Sequence, residues 1–199
     1  MTQIVGILLA AGSSRRFGAD KRLHLMADGT PMALASARNL AAVCARTIVV
    51  IRPNDTALAS ILADEGLEIV VCAEAQLGMG HSLASGVAAS KDAAGWLVAL
   101  ADMPYIEPTS YGAIIHAMQG GAALARPIHD GRSGHPVGFA AAYLDNLLAL
   151  TGDQGGKTIL EADPALLVPC QVYDPGVLKD VDIPMQIDAP GSPAGALSG

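Results

Sequence analysis

Continuous apolar runs alternate with amphipathic stretches through the first half of the chain. Residues 4–10 (IVGILLA), 47–51 (TIVVI), 67–71 and 96–101 (WLVALA) carry almost no polar positions. Runs of this length predict strands buried on both faces. Between them, residues 32–43 read as a helix. Pro53, Asn54 and Asp55 open a second, in which Leu58, Ile61 and Leu62 recur at helical spacing, and residues 80–91 read as a third. Such alternation predicts βαβ crossovers and an open α/β sheet in three layers.

The second half is less regular. Residues 108–119, 143–150 and 158–162 read as helices, 122–125 and 136–139 as short strands, and 166–169 and 179–183 as edge strands. His129, Asp130, Gly131 and Arg132 read as a hairpin-like turn. From Ala189 the chain is Gly, Pro, Ser and Ala with a single Leu, a composition that predicts a disordered tail over 189–199 behind one domain over 1–188.

Composition narrows the choice of partners. The 19 acidic residues outweigh 12 Lys and Arg, for a net charge of −7, which argues against nucleic-acid or anionic-membrane surfaces. An anionic small molecule needs only a local basic pocket, and Arg15, Arg16, Lys21 and Arg22 supply one. Cys44, Cys72 and Cys170 lack any metal-ligand spacing and read as thiols in a reducing compartment. The polar N-terminus is unlike a signal peptide, and no apolar run reaches the ~18 residues of a membrane span, so the cytosol is the expected location.

Two features carry chemistry. Directly after the first strand, residues 9–21 read LAAGSSRRFGADK. Gly12 and Gly18 let the backbone turn and approach a ligand, exposed N–H groups cradle an anion, and Arg16 and Lys21 add charge. The spacing fits neither a Walker A loop nor GxGxxG. Asp102, in LADMP, follows the fourth strand. Ligands of parallel sheets gather at the carboxyl ends of strands, so Asp102 and the glycine loop should open on one side. A carboxylate there, facing a triphosphate, is the expected Mg²⁺ ligand; a turn or helix cap before Pro104 is the alternative.

In combination, LAAG-x-S-x-R-x-G-x-x-K and L-x-D-M-P resemble the MobA-like NTP transferases. Residues 78–86 (GMGHSLASG), 134–139 (GHPVGF), 152–157 (GDQGGK) and 181–187 (VDIPMQI) extend the likeness over nearly the whole chain. The resemblance implies a Rossmann-like nucleotidyltransferase fold with a mostly parallel mixed sheet. Within the family, the Gly-His-Pro and Gly-Asp-x-Gly segments, with Ala11 where guanylyltransferases carry Gly, resemble the molybdenum cofactor cytidylyltransferases. That implies transfer of CMP from CTP to the molybdopterin-bound cofactor, with a molybdoenzyme or its chaperone as recipient.

Site roles follow. Leu9, Ala10, Ala11, Gly12, Arg16, Lys21, Gly80, Ser82 and Asp102 would bind the nucleotide, with Arg16, Lys21 and Asp102 catalytic. Asp102 and Asp182 would hold Mg²⁺. His135, Asp153 and Lys157 would face the acceptor, although a backbone-bonded turn histidine and an ordinary loop and helix start are the plain readings of those three. Lys157 stands where the family usually has Arg, and the acids usual after Pro184 are absent, which leaves the acceptor open among related phosphorylated compounds. Guanylyl or sugar-phosphate nucleotidyl transfer, and a non-catalytic nucleotide-binding module, are the competing readings.

Overall fold

The computed structural model of the chain describes residues 3–12 and 20–181. Its eight strands form one sheet: β1 (Ile4–Leu9), β2 (Thr47–Ile51), β3 (Glu68–Val71), β4 (Gly95–Leu100), β5 (Leu124–His129), β6 (Arg132–Ser133), β7 (Val137–Ala140) and β8 (Leu167–Gln171). The order is β3-β2-β1-β4-β7-β5, with β6 and β8 both pairing β5. Only β6 and β7 run against the other strands, so the sheet is mixed and mostly parallel.

Alternation along β1 shows how the layers arise. Val5, Ile7 and Leu9 enter one hydrophobic cluster and Leu8 the other, as the period of two requires. The first cluster takes in Leu83 and Val87 of α3 (Met79–Ala88), Leu147 of α5 (Leu144–Leu148) and Ile159 of α6 (Lys157–Ala162). The second takes in Leu34 and Leu40 of α1 (Met32–Ala41), Leu58 and Leu62 of α2 (Thr56–Asp64), and Ile114 and Met118 of α4 (Pro108–Gln119). Helices therefore cover both faces, the three-layer arrangement that the apolar runs imply. Among the described residues no helix is long and apolar enough to cross a membrane.

Several elements differ from the sequence reading. The second helix starts at Thr56 with Asp55 at the N-cap position, where its carboxylate makes no cap hydrogen bond and instead takes Arg22 and Arg52. Strand β5 runs on to His129, held in parallel register by β8 from Leu124 to Ile128 and turned back at Asp130 and Gly131. Both turn residues have positive φ (48° and 72°), as a two-residue hairpin loop requires. The edge strand expected over 179–183 is absent from residues 179–181. There the Val181 N–H donates to the Asp102 carbonyl (2.9 Å), so this segment meets the carboxyl end of β4 instead of running along an edge. Residues 182–183 and the tail over 189–199 lie outside the described residues.

Candidate active site

The carboxyl ends of β1 and β4 open into a cavity of about 880 Å³ on the α3 side of the sheet. Leu9, Ala10, Ala11 and Gly12 form one wall, Leu100, Ala101 and Asp102 the floor, and Gly78, Met79 and Ser82 the opposite wall. Lys21, Arg22, Arg52, Ala75, Gln76 and Asp153 complete the lining. Of the residues singled out in the sequence, the fold thus brings together Leu9, Ala10, Ala11, Gly12, Lys21, Ser82, Asp102 and Asp153. Arg16 and Asp182 lie outside the described residues.

Lys21 is held at the floor. Its Nζ donates to Asp102 Oδ2 at 2.7 Å and to the Val181 carbonyl at 3.2 Å. The pair is mostly shielded, with side chains 16% and 26% exposed. Two residues beyond the end of β4, Asp102 is close enough to the strand for its direction to be fixed by the sheet, and it is bound as an ion-pair partner and not as a helix cap.

Behind Lys21 lies a four-residue charge network. Arg22, only 3% exposed, donates from Nε to Asp20 Oδ1 (2.7 Å), from Nη2 to Asp55 Oδ1 (2.8 Å), and to the Ala10 carbonyl. Arg52 donates to the same two acids, from Nη2 to Asp20 Oδ2 (3.3 Å) and to Asp55 Oδ1 (3.0 Å). The network fastens the residues that follow the glycine loop to the start of α2. It also balances its own charge, two acids against two bases, so the field for an anion must come from elsewhere.

At the opposite wall, Gly78 precedes α3 with φ 130°, a conformation that L side chains rarely adopt. A Cβ there would fall 2.2 Å from the Gly152 carbonyl carbon. Gly80 was expected to offer its backbone to a nucleoside. Its N–H is instead donated to the Gly152 carbonyl at 2.8 Å, and Gly80 does not line the cavity. Small residues here let the N-terminus of α3 dock on the 151–153 loop, and that loop carries Asp153 into the cavity.

The other acceptor-side candidates divide. Lys157 does not line the cavity; it begins α6, is 74% exposed, and pairs with Glu161 one turn on (3.5 Å). His135 follows β6, its N–H donating to the Val177 carbonyl (2.9 Å) and its Nδ1 sealed from solvent without a partner. Burial pushes its pKa down to about 4; nearby Arg126 pushes the same way, while Asp102 and Asp180 oppose the shift. The ring is therefore neutral at pH 7, feels the charges of both Arg126 and Asp102, and does not line the cavity. The sequence reading counted Arg22 toward a basic pocket without the acids that neutralise it, and it passed over Arg52, which also lines the cavity. Only Arg22 left a signal, as a basic residue following Asp20 and Lys21 at the end of the loop.

The MobA-like NTP transferase domain matches residues 6–167 of the chain. The purine catabolism protein PucB of Bacillus subtilis (strain 168) is 29% identical over 199 residues, covering 93% of this chain and 94% of that protein. The nicotine blue oxidoreductase of Paenarthrobacter nicotinovorans is 28% identical over 187 residues, covering 90% and 92%. Among solved structures, Rv0371c from Mycobacterium tuberculosis H37Rv superimposes with a TM-score of 0.80 at 26% identity, over 92% of this chain and 95% of that one. Rv0371c has also been solved in complex with manganese.

Proposed function

The chain belongs to the MobA-like NTP transferase family of nucleotidyltransferases, and we propose that it moves CMP from CTP to molybdopterin-bound molybdenum cofactor, releasing pyrophosphate. The observation that carries this reading is the Lys21–Asp102 pair, a cation and a carboxylate at 2.7 Å on the floor of an 880 Å³ cavity beside a glycine loop. Neither relative's name specifies a nucleotide or an acceptor. The choice of CTP rests on Ala11 in the loop, and the choice of acceptor on the Gly-His-Pro and Gly-Asp-x-Gly segments.

Nucleotidyl transfer is mostly positioning and charge stabilisation. Lys21 is the cation poised for the triphosphate, and Arg16, in the same loop, is assigned the departing pyrophosphate. The N-terminus of α3 adds a favourable dipole, with Ser82 toward the nucleoside. Asp102 and Asp182 are the proposed metal ligands. No group of three His, Cys, Asp or Glu suited to a metal exists among the described residues. Mg²⁺ takes one or two carboxylates and completes its shell with phosphate oxygens and water. The hydrogen bond from Val181, the residue before Asp182, to the Asp102 carbonyl supports the pairing of the two acids. A metal held by Asp102 and Asp182 would supply positive charge to offset the charge that develops on the phosphates. The acceptor phosphate is itself the nucleophile, so no general base is required.

Asp153 is the better supported acceptor contact, since it lines the cavity; His135 stands beside it in the proposal and Lys157 at the rim. The reading includes a cytosolic enzyme of one domain over 1–188 and delivery of its product to a molybdoenzyme or chaperone. It is tested by pyrophosphate release with Mg²⁺, each of the four NTPs and the molybdopterin-bound acceptor. Release with CTP alone supports the full reading. Release with GTP, or with a sugar phosphate as acceptor, replaces the substrates and keeps the chemistry. No release under any pairing refutes catalysis and favours a nucleotide-binding module.

A further inference from the structure

Of the charged groups that line the cavity among the described residues, one is left over. Lys21 is paired with Asp102, and Arg22 and Arg52 are balanced by Asp20 and Asp55. Asp153 also lines the cavity, is exposed, and its carboxylate has no hydrogen-bond or ion-pair partner among the described residues. A carboxylate in that position repels the phosphates that both substrates of the proposed reaction carry. It suits instead a part of a substrate that bears N–H donors and no negative charge.

Met79 stands beside it. The backbone nitrogen of Asp153 lies so close to Gly78 that a Cβ there would fall 2.7 Å from it, and the Gly80 N–H donates to the Gly152 carbonyl at 2.8 Å. Both chain neighbours of Met79 thus touch the backbone at 152–153. The Met79 side chain in turn lies against Gly155, where a Cβ would fall 3.1 Å from Met79 Sδ. Gly155 has no side chain to cover the thioether, and Met79 stays 44% exposed while lining the cavity. A half-exposed thioether is a soft apolar surface suited to an aromatic ring. With an unpaired carboxylate next to it, the pair suits a flat heterocycle that carries donors along one edge.

We propose that Met79 and Asp153 form the subsite for the acceptor's ring, with Met79 against the ring and Asp153 accepting from an adjacent amino and ring N–H pair, as in a 2-amino-4-oxopyrimidine. The inference rests on the nucleotidyl-transfer reading and assigns this corner to the heterocycle of the acceptor, not to its phosphate. Two adjacent donors match the two carboxylate oxygens, as in a bidentate guanidinium–carboxylate pair. Cytosine has no such edge, because its amino group stands beside a ring nitrogen that accepts; the base of CTP therefore gains little here. A guanine base carries the same donor pair as a pterin, so GTP must be tested against the acceptor's ring.

The test is fluorescence titration of the full chain with 6-hydroxymethylpterin, which has the donor edge and no phosphate, and with lumazine, in which an oxo group replaces the 2-amino group. Wild type is expected to bind the pterin saturably, with CTP and Mg²⁺ present as well as without them. It should bind lumazine about tenfold more weakly. Asp153→Asn should abolish or reverse that preference, because its amide offers one acceptor and one donor, and should leave CTP affinity unchanged. Its melting temperature should equal that of wild type, since the carboxylate has no partner to lose. Met79→Ala should weaken both ligands about fivefold and keep the preference. No saturable pterin binding, a preference that survives Asp153→Asn, or displacement of the pterin by CTP would overturn the proposal. Displacement by GTP would overturn it too, by giving the edge to a guanine base. Binding is read without turnover, so failure of this subsite and failure of pyrophosphate release are separate results.

Discussion

Removing the Asp55 charge tests the network behind Lys21. Asp55 accepts from Arg22 Nη1 (2.5 Å) and Nη2 (2.8 Å) and from Arg52 N, Nε and Nη2 at 2.9, 3.2 and 3.0 Å. In Asp55→Asn the volume stays and the charge goes. Arg52 is 31% exposed and can turn to water, but Arg22, at 3%, cannot. Nearly all the cost therefore falls on Arg22, which keeps only Asp20 and the Ala10 carbonyl. Breaking a buried pair by removing one partner costs about 3–5 kcal/mol, and the surviving Asp20 contact puts this case at about 3 kcal/mol on the same scale. For a domain of this size that is a fall in melting temperature of about 10 °C. Thermal and urea unfolding of wild type, Asp55→Asn, Arg22→Met and the double variant measure it. The double variant should recover part of the loss, since no uncompensated charge remains. A loss below about 1 kcal/mol in Asp55→Asn, the range of exposed pairs, would refute the claim that Arg22 depends on this carboxylate.

Asp102→Asn should keep the fold and abolish metal-dependent pyrophosphate release; a near-normal rate would remove Asp102 from the metal assignment. Gly78→Ala should cost about 3 kcal/mol or more, because positive φ and a clash with backbone each contribute about 1–3 kcal/mol; unfolding within experimental error of wild type would show that the 151–153 loop yields freely. His135 is depressed from 6.5 to about 4 in the fold, so below 6.5 the unfolded chain takes up a proton that the folded chain does not. That contribution to stability is complete above pH 6.5 and is lost as pH falls toward 4, by about 3 kcal/mol in all. Urea midpoints from pH 7 to 4.5 should fall more steeply for wild type than for His135→Gln, and parallel profiles would mean that His135 does not cause the slope.

Strands β1, β2 and β4 were legible because parallel strands buried on both faces are written as unbroken apolar runs, whereas β3, read as equally buried, is an edge strand with Glu68 and Val71 exposed. Residues 47–51 match an observed strand end to end, and 96–101 do so to within one residue. The C-terminal segment was misread for the same reason in reverse: Val181 is fully buried, yet what fixes its position is a hydrogen bond to the Asp102 carbonyl, a partner far away in the chain. At the site, Lys21 and Asp102 could be found from their spacing around strands. The partners of Arg22 and Arg126 could not. An arginine's burial and its choice of partners depend on tertiary neighbours (Asp55 for Arg22, the Gly134 carbonyl for Arg126), and local pattern carries neither. Gly80 belongs to the helix that forms the opposite wall but does not line the cavity, and the sequence gives no sign that its N–H is taken by Gly152.

The hydrogen bond between Gly80 and Gly152 ties the start of α3 to the loop that bears Asp153. The two walls assigned to different substrates are thereby in direct contact, so a displacement of one is felt by the other. Binding of either substrate that tilts one wall changes the fit of its partner, and thermodynamic linkage makes the effect equal in both directions. Substrate affinities measured singly would then misstate those of the ternary complex. The sign of the difference would tell whether this joint favours entry of both substrates together or holds one back until the other has left.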